Sequence, residues 1–339
     1  MRRLIVSLLF LLVLLAVVWS AFWWWSAGQL KQQVTRWQTV QREQGRDFRF
    51  KSATVSGYPT HLRLRLEEPR LTGRGGWQWQ APAVNAEAAF LDLRNITATF
   101  SGTHELHPPE TSGAAELQLA VGAGMGRFLL DDRGAVASGR LQLERLALAG
   151  HADGPSSVRR LDLAWGQLAG ESEPPARDAL LPFFLALEDW DLPGALAPPL
   201  GRRIDLLEAH GRVEGGVPLA PPEEALPAWA AEGGTAELEH MALQWGPLSL
   251  AGDASVTLDE RNRALGAGTA RIRGFERTLD ALHDGDVIAE DIARLGAMGL
   301  RALSQEDADG RRVIEVPLSA QDGLLYVGPL PLMPLAPLF

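Results

Sequence analysis

The sequence predicts a mainly β protein, in which one N-terminal transmembrane helix precedes a large, curved antiparallel β-meander with a few short helices. Three observations lead to this prediction. An apolar run occupies residues 4–25 and is interrupted only by Ser7 and Ser20. From Phe48 onward, apolar and polar residues alternate in many short stretches, as in strands with one buried and one solvated face. The 35 glycines and 22 prolines of the chain supply the turns that a meander requires.

The apolar run is long enough to cross a membrane. As a helix, residues 4–25 span about 33 Å, and the hydrocarbon core of a bilayer is about 30 Å thick. The alternative is a cleaved signal peptide, but a cut after Ala27 would place the bulky Trp25 three residues before the cleavage site. We therefore predict an uncleaved signal-anchor over residues 1–27, with the lipid bilayer as the partner of residues 4–25.

The flanks of the run predict its orientation. Trp19, Trp23, Trp24 and Trp25 match an aromatic belt at a membrane–water interface, so we predict that they anchor the helix there. Arginines fill positions 2–3, and the positive-inside rule keeps them in the cytoplasm. The prediction is a single-pass inner-membrane protein with a cytoplasmic N terminus and most of the chain in the periplasm.

Composition excludes several classes of function. The net charge of −10 argues against nucleic acid as a partner. The absence of cysteine excludes disulfides, thiolate metal sites and cysteine nucleophiles. A hydrophobic content of 46% in 339 residues permits a substantial core.

The region after the anchor begins with a helix and continues as a first β lobe. Residues 28–45 have helical periodicity and predict a juxtamembrane helix that continues the anchor. Residues 46–170 predict the first lobe. Within it, Leu62 and Leu64 alternate with arginines, so the leucines are expected on the inner face of a half-buried strand.

A proline-containing linker, residues 171–177, is predicted to separate the first lobe from a second one, residues 178–339. The second lobe contains a predicted short helix at residues 223–232. Residues 278–303 change to helical periodicity and predict two short helices that meet near Gly285.

A weak internal repeat relates the two lobes. The segment Leu161–Gly170 resembles Met241–Gly252, and each contains a tryptophan followed by glycine, at Trp165 and Trp245. The alternative is a chance likeness between two β-rich segments. A true repeat predicts two comparable lobes.

Four short motifs suggest chemistry but fail on spacing or context. The histidines of 104–107 are three residues apart and precede two prolines, whereas a helical zinc motif needs a spacing of four. Segment 305–310 lacks the first and last ligands of a calcium loop. The glycines of 122–126 have the wrong spacing for a dinucleotide site, and the acidic residues of 284–291 match helix capping. We therefore expect no enzyme, no cofactor, no metal and no catalytic residue.

Several segments together resemble a known family. They share no chemistry, but their order along the chain is distinctive: Ser56–Pro59, Trp229–Gly234, Leu243–Leu248, Leu258–Asn262 and Pro317–Leu332. In this combination, and in its anchor, the chain resembles the alphaproteobacterial family known as domain of unknown function 2125. The resemblance implies no catalytic residues. The arrangement of one anchor and long meanders is also similar to that of AsmA-like envelope proteins, which are associated with lipid handling.

Two functions are compatible with this reading. In the first, the inner face of the sheet is a groove that binds lipid or another apolar ligand, and Trp165, Trp245, Leu62 and Leu64 line it. In the second, the protein is a structural or interaction protein of the cell envelope, its partner is another envelope protein, and the same faces are packed against each other. Both functions use the same alternation, so the sequence alone leaves both open.

Overall fold

A computed structural model gives the fold of the chain. It describes residues 2–43, 46–73, 76–108, 117–132, 134, 136–150, 154–166, 181–193, 199–215, 222–306, 310–328 and 330–338. Four helices lie in these ranges: α1 Arg2–Glu43, α2 Pro222–Ala231, α3 Phe275–Asp284 and α4 Glu290–Leu303. The predicted helical segments in the second half of the chain therefore form helices, and the two predicted around Gly285 are α3 and α4.

The described residues also contain nineteen strands. They are β1 Asp47–Arg49, β2 Ser52–Ser56, β3 His61–Glu67, β4 Arg70–Thr72, β5 Gln78–Gln80, β6 Ala83–Ala89, β7 Asp92–His107, β8 Leu117–Leu130, β9 Val136–Ala149, β10 Ser156–Trp165, β11 Leu181–Asp191, β12 Arg203–Glu214, β13 Thr235–Trp245, β14 Leu248–Leu258, β15 Ala264–Arg273, β16 Gln305–Glu306, β17 Arg312–Gln321, β18 Leu324–Val327 and β19 Leu330–Pro334. They are assigned to one sheet. Since the described pairings are antiparallel, the predicted antiparallel, mainly β fold is confirmed.

The chain divides into two compact units. The first consists of residues 1–136 and 147–152, and the second of residues 137–146 and 153–339. The predicted linker, residues 171–177, lies outside the described residues.

In the first unit, the order of neighbouring strands is β2–β3–β6–β7–β8. The sequence alternation is reproduced in the structure of β3, because Leu62 is buried and Leu64 is half-buried whereas Arg63 and Arg65 are exposed. The outer face of β3 carries the arginines, and their cross-strand partners are also polar. For example, Arg63 pairs with Glu87 of β6, with 3.0 Å between guanidinium and carboxylate.

In the second unit, strands β10 to β15 follow one another as neighbours, and β17, β18 and β19 continue the series. Each link between β11 and β15 joins consecutive strands, so this part of the sheet is a meander, as predicted. The proline-rich tail forms β19, whose described pairing is with β18. That position suits a segment in which proline removes backbone donors.

Within the described residues, no helix combines the length and the hydropathy that a membrane crossing requires.

Candidate functional site

The middle of α1 packs on the strands of the first unit through two tryptophans. Trp23 is 2% exposed and belongs to a buried cluster with Leu62 and Phe90. Its indole Nε1 donates a hydrogen bond to the carbonyl oxygen of His61 at 3.0 Å. One helical turn earlier, Trp19 Nε1 donates to the carbonyl oxygen of Pro59, also at 3.0 Å. The helix is therefore held to the start of β3 by directional bonds as well as by apolar packing.

The turn that receives these bonds is the Ser56–Pro59 segment of the family resemblance. Gly57 has a φ of 104°, and a Cβ atom there would lie 2.7 Å from the carbonyl oxygen of His61. Glycine is thus required on both conformational and steric grounds. The hydroxyl of Tyr58 lies 2.7 Å from Ser20 Oγ of α1. Residues Ser56–Pro59 therefore have a structural role, because α1 packs against them, and we call this segment the helix seat. The sequence alone did not indicate this role.

The four tryptophans predicted to form an aromatic belt fall into two pairs. Trp19 and Trp23 face the strands, whereas Trp24 and Trp25 are 69% and 61% exposed. Sequence reasoning missed this division. A signal for it was available, because Trp19, Trp23 and Ala27 recur every four residues and so share one helix face.

An apolar cavity of about 620 Å³ lies between this part of α1 and the strands of the first unit. Leu62 and Leu64, two of the predicted ligand-binding residues, line it together. Its remaining lining is mostly apolar and comes from α1, β6, β7 and β8: Trp25, Ser26, Gln29, Leu30, Ala86, Glu87, Ala88, Leu93, Ile96 and Leu130. The volume is within the range of roughly 300–1,000 Å³ that small-molecule sites occupy.

The polar groups among the cavity residues can serve the polar end of an amphiphile. Ser26 and Gln29 provide these groups from the helix side, whereas the carboxylate of Glu87 lies on the opposite, solvated face of the sheet, where it pairs with Arg63. The hydrogen bond from Arg63 holds the pKa of Glu87 below its ordinary value, and burial only partly opposes this. The carboxylate is thus charged at neutral pH, and its charge is compensated by Arg63.

Apolar side chains next to the helix seat are exposed. Leu91, at the tip of the β6–β7 hairpin, is 85% exposed. Its neighbour Phe90 is buried and makes edge-to-face contacts with Trp19 at 5.2 Å and Phe22 at 5.4 Å. Tyr58 and Phe22 are each half exposed. We call Phe22, Tyr58, Leu91 and Leu93 the apolar rim of the first unit.

In the second unit, one face of the sheet is apolar across successive strands. Residues that are directly opposed in neighbouring strands share a face, so each row of partners can be followed through the unit. The first row consists of Leu161, Leu187, Leu207, Leu243, Leu250, Ile272 and Ile314. The second consists of Leu163, Leu185, Ala209, Met241, Gly252, Ala270 and Val316. The third consists of Trp165, Phe183, Gly211, Leu238, Ala254, Gly268, Leu318 and Val327.

These three rows, which we call the apolar face, are only partly covered. Of their members, Gly211, Ala270 and Ile314 are buried, and the others keep intermediate exposure. In a sandwich of two packed sheets, the inner residues interdigitate and lose contact with solvent. The apolar face is therefore more open than a packed core.

The two predicted tryptophans of the second unit are on this face. Trp165 ends β10, and its ring lies against Gly139, where a Cβ atom would be 2.5 Å from the ring. Trp245 ends β13 and has the same parity as Leu243. Its Nε1 donates to the carbonyl oxygen of Gly201 at 2.7 Å. The structure thus places Leu62 and Leu64 in one compact unit and both tryptophans in the other.

The opposite face of the second unit, which we call the charged face, carries ion pairs beside buried alanines such as Ala164 and Ala186. Asp162 on β10 is buried, and it accepts hydrogen bonds from Arg140 at 2.9 and 2.7 Å and from Gln142 at 2.9 Å. Burial raises the pKa of Asp162, but the bonds from Arg140 and Gln142 outweigh it, so the pKa is lowered overall. At the other end of the sheet, Arg271 pairs with Glu315 at 2.9 Å.

Three of the motifs rejected in the sequence lie in described elements. His104 and His107 are both in β7, where residues three apart point to opposite faces. Gly122 to Gly126 lie inside β8, and Glu290 and Asp291 occupy the first turn of α4. The centre of the calcium-like segment, residues 307–309, lies outside the described residues. Among the described residues, no group of three potential metal ligands comes together.

Comparisons with known proteins identify the family. No curated protein matches the chain, and no solved structure matches it, so the likeness to AsmA-like proteins stays a prediction. The family described as "Uncharacterized protein conserved in bacteria (DUF2125)" matches residues 23–336. This match contains the helix seat, the cavity strands and the apolar face. The chain therefore belongs to the family domain of unknown function 2125, as its sequence motifs predicted.

Proposed function

We propose that this protein is a membrane-tethered, periplasm-facing β protein that binds a lipid acyl chain, or another long apolar ligand, on its sheet. The observation that carries the proposal is the apolar face. Three adjacent rows of cross-strand partners run through the second unit without a polar side chain, and most of their members are partly exposed. Apolar area left in contact with water costs about 25 cal/mol per Å², so a chain-like apolar occupant would stabilise this surface.

The tether is supported by residues 4–25 and by the contacts of α1. Residues 4–18 precede Trp19, where the described contacts of the helix with the first unit begin. As a helix they span about 22 Å, which is less than a hydrocarbon core of about 30 Å. The bilayer that surrounds them would therefore reach Trp19 and the apolar rim. Tyr58 and Leu91 would then lie at the interface, where exposed aromatic and apolar groups are favourable.

This placement brings the apolar cavity close to lipid. Trp25 and Leu30 line the cavity and lie within about three helical turns of Trp19. An acyl chain could reach Leu62 and Leu64 from the bilayer without crossing water. We assign no enzymatic role, because the described residues of the cavity and of the apolar face hold no nucleophile beside a general base.

Photocrosslinking of the full-length protein tests the proposal. The protein in detergent micelles is incubated with a diazirine-labelled palmitate and irradiated, and the labelled peptides are mapped by mass spectrometry. We expect labels on the apolar face and in the apolar cavity. Labels confined to residues 4–25, or spread equally over the charged face, would leave the protein as a structural or interaction protein of the envelope.

A matched pair of variants separates binding from folding. Leu207 and Glu208 are neighbours in β12, and their cross-strand partners place Leu207 on the apolar face and Glu208 on the charged face. Leu207→Asn should reduce labelling of the second unit, whereas Glu208→Asn should leave it unchanged. Circular dichroism spectra of both variants should match that of the parent protein.

A further inference from the structure

The outer side of α4, in the second unit, carries large apolar side chains that the described residues leave uncovered. Ile292, Leu295, Met298 and Leu303 are each between 57% and 70% exposed. Successive residues of an α-helix are about 100° apart around its axis, so these four lie within one arc of about 140°. We call them the α4 patch. Single exposed apolar residues are common on protein surfaces, but a contiguous group marks an interaction site.

A different side of α4 packs on α3. Ala293 is buried on that side, and a Cβ atom at Gly296 would lie 3.4 Å from a methyl carbon of Leu279 in α3. An ordinary surface helix has one apolar stripe, which faces the core, and a polar stripe opposite to it. In α4 the contact with α3 uses one apolar side, and the α4 patch is a second one.

The charged side chains of α4 form an edge between these two sides, and they are paired within the chain. Arg294 pairs with Glu290 of the same helix, and Arg301 pairs with Glu276 of α3 at 2.7 Å. The hydrogen bond from Arg301 lowers the pKa of Glu276, so this carboxylate is charged at neutral pH. Because these charges are compensated within one copy of the chain, a partner of the α4 patch needs an apolar surface and no charged one.

We propose that the α4 patch binds the α4 patch of a second copy of this chain, with the two helices antiparallel about a two-fold axis. In a two-fold interface both copies contribute the same surface, which must therefore complement itself. The first turn of α4 holds Glu290 and Asp291, and its last turn holds Arg301. A parallel pair would bring the two acidic turns together, whereas an antiparallel pair places each acidic turn beside a last turn that holds an arginine. This association is independent of the proposed ligand binding.

The middle of the α4 patch can be packed closely. In an antiparallel pair centred between Leu295 and Met298, Leu295 of one copy lies opposite Met298 of the other. Gly299 lies in the same arc, and a Cβ atom there would meet nothing within 4 Å. The space over Gly299 can therefore accept a leucine side chain of the second copy, as a hole accepts a knob between two packed helices.

The size of the α4 patch fits a reversible dimer. The four side chains and the backbone around them amount to on the order of 500 Å², within the range of the largest apolar patch on a typical monomer. A two-fold pair would bury about 1,000 Å² in total, which is near the lower limit for specific interfaces. We therefore expect a weak association that is best detected by trapping it.

A lipid surface is a less suitable occupant of the α4 patch. From Phe275 to Leu303, six acidic residues outnumber three arginines, and anionic head groups repel such a segment. Helices that lie in a membrane interface are rich in Lys and Arg on the polar face and carry Trp or Phe beside Leu on the apolar one. The sequence of α4 contains no lysine and no aromatic residue.

Disulfide trapping tests the proposal in the full-length protein. The chain has no cysteine, so introduced cysteines report contacts without background. Differently tagged Leu295→Cys and Met298→Cys copies are mixed in detergent micelles and mildly oxidised, and we expect a disulfide between them. Ile292→Cys and Leu303→Cys copies should also crosslink with each other. The matched control is Arg294→Cys, on the charged edge of the same helix, which should crosslink only weakly with Met298→Cys.

A further substitution separates specific packing from mere proximity. With Leu295→Gln added to both copies, the disulfide between Ile292→Cys and Leu303→Cys should form about tenfold less at low protein concentration, because a polar amide replaces a leucine buried in the dimer. Circular dichroism spectra should be unchanged, since Leu295 is exposed in a single copy.

Three results would overturn the proposal. The first is equal crosslinking of Arg294→Cys, which would show random collision between copies. The second is a pattern of disulfides between identical positions only, at Ile292→Cys and at Leu303→Cys, which would show parallel helices. The third is protection of Leu295→Cys from a water-soluble maleimide in nanodiscs that hold one copy each. In that case the bilayer, or another part of the same chain, covers the α4 patch.

Discussion

Replacement of Trp23 by alanine should detach α1 from the first unit, and replacement of its neighbour Trp24 should not. Trp23 is 2% exposed and donates a 3.0 Å hydrogen bond to the carbonyl oxygen of His61. Loss of a buried aromatic side chain costs about 3–5 kcal/mol, and the lost hydrogen bond is part of that total. Trp24 is 69% exposed, so Trp24→Ala should change stability by about 0.5 kcal/mol or less.

Hydrogen exchange of the β3 amides measures this difference directly. With the full-length protein in nanodiscs, Trp23→Ala should lower the opening free energy of residues 61–67 by about 3 kcal/mol or more, up to the limit set by global unfolding. Trp23→Phe keeps most of the ring and removes the donor, so it should cost about 1 kcal/mol. Equal protection of β3 in the Trp23→Ala and Trp24→Ala variants would refute the packing of α1 on the strands.

Four further predictions concern the faces of the strands and the buried titratable groups. Leu64→Asp should destabilise the first unit by on the order of 3 kcal/mol, because it places a charge on the apolar side, whereas Arg65→Asp should cost about 1 kcal/mol or less; similar melting of the two variants would refute the face assignment. Burial lowers the pKa of His104 below 6.5. As the pH falls, His104 therefore takes up a proton in the unfolded chain before it does so in the folded protein, and the free energy of unfolding should fall below pH 6.5. When unfolding is followed against pH, this decline should be absent in His104→Leu. The pKa of Asp162 is lowered in the folded protein, so its carboxylate contributes fully to the free energy of unfolding above pH 3.8, and this contribution disappears as the pH falls through the folded pKa. Asp162→Asn should therefore remove this acid-dependent loss of stability when unfolding of the second unit is followed against pH. Trp245→Ala should weaken palmitate crosslinking and leave the circular dichroism spectrum unchanged, and undiminished labelling would remove Trp245 from the site.

The sequence could predict strands and faces because alternation is a local property. In β3, the sequence from His61 to Glu67 contains the information that Leu62 and Leu64 point inward. The partners of a strand are not local, because any alternating segment can pair with many others. Thus the repeated Trp-Gly pairs could be noticed, but not the row that joins Trp165 to Leu318 through five intervening strands.

The sites depend even more on distant segments. Trp25 of α1 and Leu130 of β8 line the same cavity, and these residues are more than a hundred positions apart. The second unit likewise requires β15 to pair with β17, across the α3–α4 insertion between them. Trp23 could not be separated from Trp24 by composition, because only the geometry of the helix seat gives one of them a carbonyl acceptor.

The two faces of the second unit differ in how they interact with water. On the charged face, the ion pair between Arg271 and Glu315 is compatible with water, since exposed charges keep most of their hydration. On the apolar face, the row from Leu161 to Ile314 offers water no hydrogen-bonding side chain, yet most of its members remain partly exposed. Excluding water from the apolar face lowers the free energy, provided that the hydration of the charged face is kept. Under the proposed function, an acyl chain would do this with little loss of polar hydration, because it would lie along the apolar rows.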